Sequence, residues 1–122
     1  PRVTVLQGLD PDKMSAFYDQ IDILVLPSLF EGFELVTLEA LASGVSVLGN
    51  RVGACDVFLR QDVPWVSELP TDVRSFFQKS ASIFERLRQN CQPAAMHAFI
   101  SKSFSTQRFC DQVRAQLYFR AS

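Results

Sequence analysis

The chain has 122 residues, of which 48% are apolar and 20% charged, a composition that excludes disorder and fits one domain, at or just under ordinary size, with a real core. Its net charge of -1 conceals an acidic stretch, four Lys or Arg against eleven Asp or Glu over residues 1–72, and a basic one, eight against two over residues 73–122. No apolar run approaches the ~20 residues that span a bilayer, and the first residues lack the basic-then-apolar layout of a signal peptide, so the chain reads as soluble.

In chain order, Val3-Thr4-Val5-Leu6 is a β-branched run stopped by Gly8 and predicts a strand. Asp10 before Pro11 predicts an N-cap with proline in the first helical position, and Met14, Phe17, Tyr18 and Ile21 continue at helical spacing, giving a helix over 11–20. Asp22 to Leu26 is nearly continuously apolar and closes at Pro27, the pattern of a strand buried on both faces, so it is expected at the centre of a parallel sheet. Phe33 to Ser43 predicts a helix ending at Gly44, and Val45 to Leu48 the next strand, completing a βαβ unit.

Gly53 to Leu59 predicts a short helix and Trp65-Val66 a short edge strand, followed by helices over 71–90, 93–101 and 105–120. In the last of these Ser105 is placed to cap, Phe104 and Phe109 to staple, and Phe109, Val113 and Leu117 to form the buried row. The basic stretch could be a face for nucleic acid or membrane, or the partner of the acidic half within one fold. Arg74, Lys79 and Arg86 fall away from the apolar row of their segment, which favours ordinary solvated helix faces. Cys55, Cys91 and Cys110 are odd in number and lack C-x-x-C spacing, so they read as core thiols of a reducing cytosol.

The chemistry concentrates between Pro27 and Glu39, from the carboxyl end of a strand into the next helix, the edge where open α/β sheets bind ligands. Gly32 permits a sharp turn, and the free amides of Phe33, Glu34, Leu35 and Val36 at the helix start suit a phosphate, as those of any strand-to-helix turn would. Glu39 stands among Leu35, Val36, Leu38, Ala40, Leu41 and Ala42; a carboxylate in so apolar a helix is expected to be buried and to need a cation, donors or a ligand hydroxyl. Glu31 precedes the helix start, where the macrodipole stabilises a carboxylate, and a simple capping or surface role is the first reading of it.

These residues carry a resemblance. Asp22-x-x-Val25-Leu26-Pro27-Ser28, then Glu31-Gly32-Phe33, then Glu39-Ala40-Leu41-Ala42-Ser43-Gly44-Val45 resembles the donor-site signature of glycosyltransferase family 4, with Glu31 and Glu39 matching its E-x7-E motif. Val3 to Gly8 is similar to the preceding V-x-x-x-G strand, and Phe104-Ser105 with Leu117-Tyr118 to the final helix. The resemblance implies an α/β fold, a Rossmann-like parallel sheet flanked by helices. It implies that residues 1–122 are an incomplete C-terminal, nucleotide-sugar-binding lobe of the two-lobed glycosyltransferase B fold, with 105–120 as terminal helix and the N-terminal acceptor lobe missing.

By the same resemblance the full-length protein would be a retaining transferase of hexosyl type, moving a sugar from a nucleotide-diphosphate donor to an acceptor hydroxyl of a glycan, lipid or small molecule. Glu31 would lie beside the donor sugar and Glu39 on the ribose hydroxyls. Backbone amides of Gly32 to Val36 would reach sugar and diphosphate, and Gln7-Gly8 would lie near the base. No metal, cofactor or nucleic acid is implied. The expected location is cytoplasmic, with peripheral contact at the cytoplasmic face of a membrane left open, and these 122 residues alone are not expected to transfer sugar.

The sequence departs from the family pattern at Ser46, where proline is common, at Val57, where Glu often follows the glycine turn, and in a short connection from Trp65 to Asp72. A non-catalytic α/β binding or interaction domain derived from such a lobe is the alternative. Ser28 lacks a G-x-S-x-G elbow, no G-x-x-x-x-G-K-[ST] loop occurs, and His97, without acidic or cysteine neighbours, reads as structural.

Overall fold

The computed structural model describes residues 2–104. After a 3-10 turn over Pro11–Lys13 come α1 (Met14–Tyr18), β1 (Ile23–Leu26), α2 (Leu35–Ala42), β2 (Ser46–Gly49), α3 (Gly53–Arg60), β3 (Val66–Glu68), α4 (Val73–Asn90) and α5 (Pro93–Phe104). The strands form one parallel sheet in the order β1-β2-β3, with Ile23 beside Ser46, Leu26 beside Gly49 and Val47 beside Val66. This is the expected α/β architecture, a Rossmann-like parallel sheet flanked by helices. The helix expected over 105–120, with Cys110, lies outside the described residues.

The two faces of the sheet are covered by different helices. Val47 and Val66 join a cluster with Tyr18 of α1, Ala40 and Leu41 of α2, Ala54, Cys55 and Phe58 of α3, and Met96 and Ile100 of α5. Side chains alternate along a strand, so Ser46 and Leu48 face the other way; there the Ser46 hydroxyl donates to the Leu87 carbonyl of α4 at 3.5 Å. That contact gives Ser46 a place at the start of β2 that proline, lacking a hydroxyl, could not fill. Arg74, Lys79 and Arg86 of α4 are exposed, as helical spacing predicts, and so is Arg88, which the spacing did not place on that side.

Gly44 ends α2 as expected, at φ +80°. Val45 N–H returns to the Ala40 carbonyl at 2.8 Å and Gly44 N–H to that of Leu41 at 3.1 Å, the pair of bonds that closes a Schellman motif. The chain thus reverses directly into β2.

Several boundaries and placements differ from expectation. Val3 to Leu6 forms no strand; Val3 is 87% exposed, because a β-branched run becomes a strand only beside another strand's hydrogen-bonding edge, and none of the described strands flanks it. Among the described strands β1 lies at an edge rather than at the centre, with Val25 half-exposed, while every residue of β2 is buried. The two strands share an apolar pattern, and only the strand order decides which of them is covered on both sides. The expected helix over 11–20 divides into the 3-10 turn and α1, since Gln20 N–H and Ile21 N–H close tight turns onto Phe17 and Tyr18 to lead the chain into β1. α2 begins at Leu35 and not at Phe33. α5 extends past 101 to take in Phe104, whose ring meets Phe58 at 5.6 Å.

No helix among the described residues is long and apolar enough to cross a membrane.

Candidate functional site at the carboxyl end of the sheet

The loops that leave β1 and β2 meet at the carboxyl edge. The Asn50 side-chain amide donates to the Ser28 carbonyl at 2.9 Å and ties the two loops together. Gly53 opens α3 at φ +54°, and a Cβ there would fall against the Glu34 carboxylate, the Gly32 carbonyl and the Cβ of Glu31. The Glu31-Gly32 turn is therefore seated directly on the start of α3. Sequence reading gives Gly53 a turn role but not this neighbour, because the approach joins segments some twenty residues apart.

Glu34 is the fastener of this arrangement. Its Oε1 accepts from the Thr37 hydroxyl at 2.7 Å and its Oε2 from the Ala54 amide at 2.9 Å. It thus serves an otherwise orphan N–H in the first turn of α3, as an N-cap would, from another element. Thr37 is fully buried, so loss of the carboxylate leaves a core hydroxyl without its acceptor. Glu34→Ala should cost about 1–3 kcal/mol of folding stability, read from the urea midpoint; an unchanged midpoint would mean that water replaces the carboxylate at no cost. The backbone amide of Glu34 is the part the resemblance assigns to the ligand, and its side chain is committed to the fold.

Glu31 is exposed, and its carboxylate forms no hydrogen bond or ion pair with the described residues. Phe33, half-exposed, lays its ring against Phe104 at 5.8 Å. The Glu34 side chain does not cap α2, leaving the amides of Leu35 and Val36 as donors at the helix end. The amide of Glu34, the N-cap residue, joins these helix-start donors, and that of Phe33 lies one residue earlier.

The largest correction concerns Glu39, which is exposed where burial was expected. α2 packs through Thr37, Ala40 and Leu41, all fully buried, and at 100° per residue Glu39 and Leu35 fall on the opposite side. An apolar helix can leave a face open, and Leu35 itself is 66% exposed. Glu39 nevertheless has a partner: its Oε2 accepts from the Tyr18 hydroxyl at 3.1 Å. Tyr18 is only 2% exposed, and burial, then the hydrogen bond and charge of Glu39, push its phenol up to about 12. Periodicity places Tyr18 in the core and misses this contact, although a buried phenol requires an acceptor and so carried the signal.

The exposed apolar side chains Leu29, Phe30, Phe33 and Leu35 surround this edge. A groove of about 450 Å³ lies between α4 and the carboxyl end of β3, and one of about 510 Å³ between α4 and β1. Gln7 and Gly8 precede α1 in exposed, irregular chain. Cys55 is buried, and burial first, then nearby Glu34, push its thiol up to about 11; partial burial raises Cys91 as well. Neither thiol is set up as a nucleophile at neutral pH. His97 lies against the C-terminal end of α2, with Nδ1 3.0 Å from the Ala42 carbonyl.

A family model described as glycosyl transferases group 1 matches residues 1–86. The chain is 38% identical over 47 residues to an MMP alpha-(1->4)-mannosyltransferase of Mycolicibacterium hassiacum, a match covering 38% of this chain and 11% of that protein. It is 39% identical over 59 residues to a D-inositol 3-phosphate glycosyltransferase of Rhodococcus opacus, covering 48% and 13%. A further match, 32% identical over 62 residues, is to an uncharacterized glycosyltransferase of Methanocaldococcus jannaschii, covering 51% and 16%. The matched segments thus span 11% to 16% of these relatives' lengths. No solved structure matches the chain.

Proposed function

The chain belongs to the group 1 glycosyl transferases, and from that membership we propose that it is the donor-binding part of a retaining, family 4 glycosyltransferase. It takes a nucleotide-diphosphate sugar and serves transfer to an acceptor hydroxyl. The observation that carries this reading is the disposition of the two glutamates. Both carboxylates of the Glu31-x7-Glu39 spacing are exposed, at the loop that follows β1 and on the open face of α2, while the intervening Glu34 is turned inward to the fold.

In this reading Glu39 accepts hydrogen bonds from the ribose hydroxyls, and the amides of Leu35 and Val36 face the diphosphate with the positive end of α2 behind them. Phe33, steadied by Phe104, borders the sugar, and Glu31 orients it. The contribution of this surface to rate is to hold the donor in reacting geometry and to stabilise charge on the departing diphosphate. The exposed Leu29 and Phe30 are the surface on which a second, acceptor-carrying lobe would close and exclude water.

The test is Glu39→Gln in the intact protein, titrated calorimetrically with UDP, GDP and ADP. Charge-assisted hydrogen bonds contribute roughly 1.5–3 kcal/mol, so affinity for the preferred nucleotide should fall about tenfold to a hundredfold. The melting temperature should stay within a few degrees, since position 39 is exposed. Unchanged affinity with a large loss of melting temperature would make Glu39 a structural residue.

A further inference from the structure

We propose that Tyr18 is a positioning residue that holds the Glu39 carboxylate ready for the nucleotide. The inference rests on the nucleotide reading of Glu39 and extends it to a residue 21 positions away on another helix. Glutamate on an exposed helix face turns freely about three side-chain bonds, and binding must then stop that motion. Here one oxygen is already held: the Tyr18 hydroxyl donates to Oε2 at 3.1 Å, leaving Oε1 and the remaining lone pairs of Oε2 for ligand hydroxyls.

The donor is itself fixed. Tyr18 is 2% exposed and belongs to the main core cluster, and its ring is met edge-on by Phe17 at 5.4 Å. The core thus sets where the phenol oxygen lies, and the phenol sets where the carboxylate lies. No ion pair among the described residues involves Glu39 to do the same work.

A double-mutant cycle in the intact protein tests this, with UDP, GDP and ADP as probes. Tyr18→Phe should weaken the preferred nucleotide about three- to tenfold, and should cost nothing further in a Glu39→Ala background, where no side-chain acceptor remains for the phenol. A purely structural tyrosine would lower affinity equally in both backgrounds, and that result would overturn the proposal, as would parent-like affinity in Tyr18→Phe. Should Tyr18→Phe be less stable than the parent, the cycle is titrated well below its Tm, so that folded protein alone is compared, and parent-like affinity there would overturn the proposal too. A parent protein that binds none of the three nucleotides refutes the nucleotide reading itself, and the role of Tyr18 with it, an outcome distinct from a parent that binds while the cycle shows no coupling.

Discussion

Gly53→Ala should lower folding stability by about 2–5 kcal/mol, on the order of 10–25 °C in Tm for a domain of this size. Two costs add. An L-residue at φ +54° loses about 1–2 kcal/mol relative to its preferred conformations. The new methyl would also meet the Glu34 carboxylate and the Gly32 carbonyl, and overpacking of this kind typically costs about 1–3 kcal/mol. The side chain of Glu34 could swing away only by releasing Ala54 N–H and Thr37, and the Gly32 carbonyl is backbone and moves only with its turn. Differential scanning calorimetry would read the loss. Nucleotide affinity should fall as well, because the displaced turn carries Glu31 and leads into α2. A Tm within about 2 °C of the parent would show that the turn rides freely above α3.

Glu31→Ala should reduce sugar transfer by the intact protein about a hundredfold or more in kcat, while nucleotide affinity stays within about twofold. By position the carboxylate points into solvent beside the start of α2, and by the proposed reading it orients the sugar and not the nucleotide. A helix-end effect is a weak competitor. It is worth ~0.3–1 kcal/mol at most, a factor of about five, and falls away within a turn, whereas α2 starts only at Leu35. Size therefore separates the two explanations. Steady-state kinetics that left kcat within a few-fold of the parent would remove Glu31 from the reaction and favour a binding domain without turnover.

The corrections share a physical cause. Asp22 to Leu26 and Val45 to Leu48 have the same apolar pattern, and a pattern states how much burial a strand can use, not how many neighbours it has. Strand order made β2 the covered one and left Val25 at an edge. The same holds for α2, whose sides are nearly all apolar: periodicity has no contrast from which to choose a face, and contact with β2, α3 and α5 chose Thr37, Ala40 and Leu41. Glu39 was thereby turned outward.

The sequence by itself determined the alternation of strands and helices, the reversal at Gly44, the helix at Gly53 and the glutamate pair, because each rests on residues within a few positions of one another. Gly44 needs only its own backbone conformation and the carbonyls one turn before it, and Glu31 and Glu39 lie eight positions apart in continuous chain. Tertiary structure alone decided that Glu34 fastens α2 to α3, that Gly53 supports the Glu31 turn, and that Tyr18 holds Glu39. Those contacts join segments about twenty residues apart, and a hydrogen bond or a steric limit of that reach depends on where the sheet places each helix, which no local pattern encodes.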